Sequence, residues 1–209
     1  STLRSLGFDG PGSCSWLSPL FLALQENDVL KELYIDGIDR IDEELSTAMR
    51  LGLGNNSTLE MLNFAAITAD NDTLLCPEAF SFLRTNTALK CLYVHFGQTV
   101  GKTHADTVCM EVLAMLLENE SLETLYIYMA CREIRIEDYP AFVAAIQPNT
   151  TLKTFRFSYY PPFCVEEDEM KALISVLKKN YGLEAIQELQ YCSGDIRSIF
   201  DLNRAGRRY

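Results

Sequence analysis

A right-handed α/β solenoid, with parallel strands on its concave side and helices on its convex side, is the fold this sequence predicts. Three observations predict it. The string Asn-x-x-Leu-x-x-(Leu, Phe or Ile) occurs six times, starting at Asn27, Asn56, Asn86, Asn119, Asn149 and Asn180. The copies begin 29, 30, 33, 30 and 31 residues apart. Each carries two hydrophobic periods, helical before the asparagine and alternating after it. A unit of one helix and one strand cannot bury its apolar face alone, so about seven such units stack into a curved coil.

The elements follow in order along the chain. Leu3, Leu6 and Phe8 reproduce the pattern 27 residues ahead of Leu30 and predict the first strand. Ser18-Pro19 reads as a helix cap followed by proline in the first helical position. Leu33 and Ile35, Leu62 and Phe64, Leu92 and Val94, Leu125 and Ile127, and Phe155 and Phe157 are the inward positions of the next five strands. Between them lie i, i+3, i+4 stripes: Met49 and Leu53; Ala79, Phe82 and Leu83; Val112, Met115 and Leu116; Phe142, Ala145 and Ile146; Leu173, Val176 and Leu177. The last of these helices opens on Glu166-Glu167-Asp168-Glu169, which sets carboxylates at its positive end.

The repeated asparagine is expected to end each helix in a left-handed turn, the conformation Asn adopts most readily after Gly. The seventh copy decays, since Ile186 is followed by Gln187, Glu188 and Leu189. Residues 1–190 are therefore assigned to the solenoid and 191–209 to a C-terminal cap with a basic tail. In that cap Asp195 would start a short helix carrying Ile196, Ile199 and Phe200 inward, with Gly206 near its stop.

In the form Asn56-Ser57-Thr58-Leu59-Glu60-Met61-Leu62 the unit resembles the leucine-rich repeat, of the ribonuclease-inhibitor-like class. It is similar to the repeats of tropomodulins and of cytosolic nucleotide-oligomerisation-domain receptors. The resemblance implies a horseshoe segment and a protein-binding role, with regulation of the cytoskeleton or of a small GTPase as the alternative. One departure stands out. The family pattern places Asn or Cys five residues after the second leucine, where this chain has Pro11, Ile38, Ile67, Gly97, Ala130 and Tyr160. The side-chain ladder of the strand-to-helix loops is thus expected to be missing and those loops to be loose.

Composition narrows the function classes. The 209 residues are 48% apolar with a net charge of −11, enough for one cored domain or two small ones and too apolar for a disordered chain. No apolar run approaches the roughly 18 residues of a membrane span. The acidic balance argues against nucleic acid as a partner. The basic exception is the last 13 residues, where Arg197, Arg204, Arg207 and Arg208 face only Asp201.

Seven scattered cysteines with no C-x-x-C pair read as reduced thiols of an intracellular, cytoplasmic protein. His95 and His104 lack the paired cysteines of a zinc site, so no metal is expected. Five N-x-[ST] sequons begin at Asn55, Asn56, Asn71, Asn119 and Asn149, and repeat grammar explains four of them better than glycosylation does. The chain opens on Ser1 rather than methionine and is read as a piece of a longer one, expected to be monomeric.

Catalysis has no good candidate. Gly97-Gln98-Thr99-Val100-Gly101-Lys102-Thr103 imitates a phosphate-binding loop but has three residues between its glycines where four are needed. No G-x-S-x-G, H-E-x-x-H or clustered Cys-His pair occurs. No cofactor or catalytic residue is therefore assigned.

The strand positions pointing away from the core carry the functional signal. They are Glu32, Tyr34 and Asp36; Met61, Asn63 and Ala65; Cys91, Tyr93 and His95; Thr124, Tyr126 and Tyr128; Thr154, Arg156 and Ser158. With parallel strands about 4.8 Å apart, Tyr93, His95, Tyr126, Tyr128 and Arg156 are expected to form one patch, with Asn63 beside it and Tyr34 farther out. Tyr and Arg anchor protein interfaces, because each buries much area and keeps a polar tip. The expected ligand is another protein, basic or of mixed charge, met by a concave sheet with an acidic rim.

Overall fold

The computed structural model describes residues 3–8, 16–38, 41–67, 76–96, 111–112, 114–116, 118–129, 148–159, 171, 175 and 183–186. Seven strands form one parallel sheet in sequence order: β1 (Ser5–Phe8), β2 (Glu32–Asp36), β3 (Met61–Ile67), β4 (Cys91–Phe96), β5 (Thr124–Met129), β6 (Thr154–Tyr159) and β7 (Ala185–Ile186). Helices α1 (Leu17–Ala23) and α2 (Glu43–Asn55) and a 3-10 helix (Pro77–Arg84) connect the first four, and α2 packs between the other two. Residues 111, 112 and 114–116 are helical as well.

Strand register follows the repeat residue for residue. Leu33 pairs with Leu62, Leu62 with Leu92, Leu92 with Leu125 and Leu125 with Phe155. The alternating apolar positions Leu33, Ile35, Leu62, Phe64, Leu92, Val94, Leu125, Ile127 and Phe155 are all buried. A one-residue slip would turn every one of them to solvent, which is why the pattern dictates the register. Met49, Leu53, Ala79, Phe82, Leu83, Val112, Met115 and Leu116 close the core from the helical side, as their spacing predicts.

A run of rings crosses that core. Phe21 of α1, Phe64 of β3 and Phe80 and Phe82 of the 3-10 helix follow one another at centroid distances of 6.0, 6.1 and 6.2 Å. The helices at residues 142–146 and 173–177 and the cap beyond 190 lie outside the described residues, as does the Gly97–Thr103 loop.

Two expectations about helix ends are corrected. Ser18 does not cap α1: the helix begins at Leu17, Trp16 precedes it without a side-chain cap bond, and Ser18 is buried in the first turn. Pro19 is still tolerated there, because the first four N–H groups of a helix have no intrahelical acceptor. The side-chain cap that sequence inspection passed over belongs to α2, where Asp42 Oδ1 accepts the Leu45 N–H at 3.0 Å behind Glu43 and Glu44.

The larger correction concerns the asparagine. Asn56 is extended (φ −77°, ψ 127°), not left-handed, and its side chain ties one repeat to the next. Its Nδ2 donates to the carbonyls of Leu24 (2.7 Å) and Asn27 (3.0 Å), while Oδ1 accepts from the N–H groups of Thr58 (3.0 Å) and Leu59 (2.6 Å). Asn86 repeats the set with Leu53, Asn56, Ala88 and Leu89. Asn119 repeats it with Leu83, Asn86, Ser121 and Leu122, and Asn149 with Leu116, Asn119, Thr151 and Leu152.

The outgoing carbonyls of each helical segment, left without intrahelical partners, are thus satisfied by the next unit's amide. A ladder is therefore present, but at the helix-to-strand turn rather than in the strand-to-helix loop. In that loop Ile38, at the family's polar position, is buried as an apolar residue after Gly37, whose positive φ of 75° makes the turn. The buried sequon asparagines Asn56, Asn119 and Asn149 have their amides committed to this ladder, which supports the repeat explanation over glycosylation.

A second row lies on the strand-entry rim, where Lys31, Glu60, Lys90, Glu123, Lys153 and Glu184 alternate in sign. Lys31 Nζ meets Glu60 Oε1 at 2.7 Å, Lys90 lies 3.9 Å from Glu123, and Lys153 bonds to Glu123. These pairs are exposed and screened by salt, so they add little stability, but they leave no like charges opposed across neighbouring strands.

Candidate functional site

The sheet's second face presents the alternate residues, and register brings five of them into a straight row. Tyr34 pairs with Asn63, Asn63 with Tyr93, Tyr93 with Tyr126, and Tyr126 with Arg156. The Tyr93 and Tyr126 rings stack at a centroid distance of 5.8 Å and 39°. The Arg156 guanidinium sits 4.7 Å above the Tyr126 ring, a cation–π contact. In the neighbouring row His95 meets the Tyr128 ring edge-on at 4.3 Å and 90°.

Between the two rows is an open cleft of about 330 Å³ lined by Asn63, Tyr93, Val94, His95, Tyr126 and Tyr128. Five of the seven sequence-selected residues therefore line one concavity, and Arg156 clamps it from β6. Tyr34 stands apart from the cleft. Its hydroxyl lies 3.3 Å from Glu32 Oε2 and 3.1 Å from Met61 Sδ, so its hydrogen is used within β2 and β3.

Sequence inspection missed what opens the cleft. Phe64 pairs with Val94, but the next pair is Ile67 with Phe96, so two residues of β3 oppose one of β4. A bulge of this kind bends its strand and re-aims side chains, and here it falls beside His95. The signal was in the string Leu62, Phe64, Ile67, whose last interval is three instead of two.

Burial sets the electrostatics of the aromatic pair of rows. It lowers the His95 pKa below its ordinary value, with the Asp36 carboxylate opposing, and it raises the hydroxyl pKa of Tyr93. His95 is thus neutral at pH 7, and Tyr93 keeps its proton. Burial likewise raises the Cys91 thiol, the opposite of what a reactive cysteine needs.

A stability consequence follows for His95. With the folded pKa below the unfolded value of about 6.5, the unfolded chain binds more protons between the two. The contribution is complete above about pH 6.5 and is lost as pH falls through the folded value. His95→Gln is expected to flatten this part of the urea-midpoint profile between about pH 7.5 and 5. A proton NMR titration should place the His95 midpoint below about 6.5.

No group of three or more His, Cys, Asp or Glu positioned to hold a metal occurs among the described residues, and no described helix is long and apolar enough to cross a membrane. What the site offers is shape, ring faces and hydrogen-bonding tips.

A parallel sheet in sequence order with connecting helices, repeating every ~30 residues, places the protein in the leucine-rich-repeat-like class of α/β folds. Comparison with known proteins gives the more particular likeness. No protein-family model and no curated protein matches the sequence. Among solved structures the chain is similar to leiomodin-1 actin-binding site 2, with a TM-score of 0.51 and 20% identity over 63% of this chain and 73% of that one. It is also similar to the tropomodulin C-terminal domain of Caenorhabditis elegans, with a TM-score of 0.51 and 17% identity over 78% and 93% of the two chains. At these identities the likeness establishes the fold.

Proposed function

We propose that the chain is a leucine-rich-repeat solenoid of about seven units, ribonuclease-inhibitor-like, that serves as a non-catalytic protein-binding module. Its binding face is the concave sheet with Tyr34, Asn63, Tyr93, His95, Tyr126, Tyr128 and Arg156. The observation that carries this reading is the cleft itself: four aromatic side chains on two adjacent strands surround it, stacked and half-buried, with polar tips available at its mouth. Preorganised rings of this kind lose little conformational entropy on binding. In this reading the module is cytoplasmic and monomeric and works by presentation, needing no cofactor.

The test is affinity capture from the native source with wild type and a Tyr93→Ala, Tyr126→Ala, Tyr128→Ala variant verified as folded. Interface anchors are worth about 2 kcal/mol or more each, so the variant should lose at least about thirtyfold in affinity. A partner held equally by both proteins would remove the concave face from consideration.

A second reading, regulation of the cytoskeleton, is favoured by the names of the two structural neighbours, an actin-binding site of leiomodin-1 and a tropomodulin domain. Co-sedimentation with filamentous actin and a filament-assembly assay test it directly. Unchanged assembly together with an absence from the pellet would exclude it.

A further inference from the structure

The concave face is graded in charge across its strands, and the grading specifies what kind of peptide would lie on it. Among the described strand residues that face this side, the carboxylates are Glu32 and Asp36, both on β2, and the one guanidinium is Arg156, on β6. The strands between them contribute Met61 and Asn63, then Tyr93 and His95, then Tyr126 and Tyr128. His95 adds no positive charge at pH 7, because burial lowers its pKa. The rim row of lysines and glutamates alternates in sign and so cannot produce or cancel this gradient. An acidic pole, an aromatic cleft and a basic pole therefore succeed one another along the register line Tyr34, Asn63, Tyr93, Tyr126, Arg156.

We propose that this face binds an extended peptide segment lying across the strands, with a basic residue over β2, an aromatic or large aliphatic side chain in the Tyr93–Tyr128 cleft, and an acidic residue at Arg156. The inference rests on the reading of the concave sheet as the binding face and adds the ligand's chemistry and spacing to it. Four inter-strand steps of about 4.8 Å separate β2 from β6, about 19 Å in all. An extended chain advances about 3.3 Å per residue, so the two charged residues of the ligand stand about six positions apart. Complementary charge at each pole fixes the direction of the segment, since the reversed segment would set like charges together at both ends.

The experiment is selection of a displayed library of random 12-residue peptides on four folded proteins: wild type, Tyr93→Ala/Tyr126→Ala, Glu32→Lys/Asp36→Lys, and Arg156→Glu. On wild type the enriched peptides should carry a basic and an acidic residue about six apart with an apolar side chain between them. A peptide so selected should lose at least about tenfold in affinity on Arg156→Glu and regain it when its own acidic residue is changed to lysine. Glu32→Lys/Asp36→Lys should reverse the preference at the other pole alone. If Arg156→Glu fails to fold, Arg156→Gln should still abolish the acidic preference. Enriched peptides that depend on Tyr93 and Tyr126 but show no charge pair, or whose charges ignore the reversals, would overturn the graded-ligand inference and leave the binding face standing. Equal enrichment on wild type and on Tyr93→Ala/Tyr126→Ala would overturn both.

Discussion

Asn86→Ala is expected to cost roughly 3–5 kcal/mol of unfolding free energy, the largest effect of any polar substitution in the described core. The side chain is 4% exposed and makes four hydrogen bonds, two donated to the Leu53 and Asn56 carbonyls and two accepted from the Ala88 and Leu89 N–H groups. Alanine would leave all four backbone groups buried between repeats, where water cannot replace the amide without opening the stack. Losing the bonds accounts for about 1 kcal/mol each, and the stranded groups add a desolvation penalty.

The control is Asn27→Ala. Asn27 is exposed and makes, among the described residues, only the local half of the set, accepting from Val29 and Leu30. Its loss should cost about 1 kcal/mol. Urea unfolding of the two variants measures the difference, and equal costs would show that the cross-repeat bonds carry no net stability.

Gly52→Ala should be nearly as damaging, against the rule that alanine stabilises a helix interior by about 1 kcal/mol over glycine. A Cβ at Gly52 would lie 1.8 Å from the Phe21 carbonyl oxygen and 2.5 Å from its carbon. The obstacle is backbone of α1, so no rotamer change relieves it and the two helices must separate. Phe21 belongs to the ring run that reaches Phe64, so displacement of α1 disturbs the core as well. Overpacking of this sort costs about 1–3 kcal/mol and more where backbone is the neighbour, giving an expected net loss of about 3 kcal/mol. Gly54→Ala on the same helix meets only the Thr85 hydroxyl, at 2.9 Å, which a side-chain rotation can clear. It should be close to neutral. Thermal unfolding of the pair separates close helix packing from helix propensity, and a stabilised Gly52→Ala would refute the close approach.

The patterning of the chain was legible because each unit repeats the same local problem. Leu33, Leu62, Leu92 and Leu125 had to be inward and Tyr34, Asn63, Tyr93 and Tyr126 outward as soon as the period-two alternation was seen, and a parallel sheet then aligns equivalents of successive copies. That is why five cleft residues could be chosen from sequence. Tyr34 was grouped with them on the same alternation, yet its hydroxyl is engaged by Glu32 and Met61, because partners along and across the strands are not set by facing direction. The asparagine was recognised as repeated and misread in its role: its conformational preference is local, whereas its four bonds reach two different units.

The sequence by itself determined the unit, its period, the inward and outward sets and the strand order, since these follow from local hydrophobic periodicity summed over many copies. Only the tertiary structure decided how the copies are joined and where the face becomes concave enough to hold a ligand. The Asn ladder, the approach of Gly52 to the Phe21 backbone and the β3 bulge beside His95 each depend on atoms about thirty residues apart in the chain. The distances between such atoms are set by packing, which a one-dimensional period does not encode.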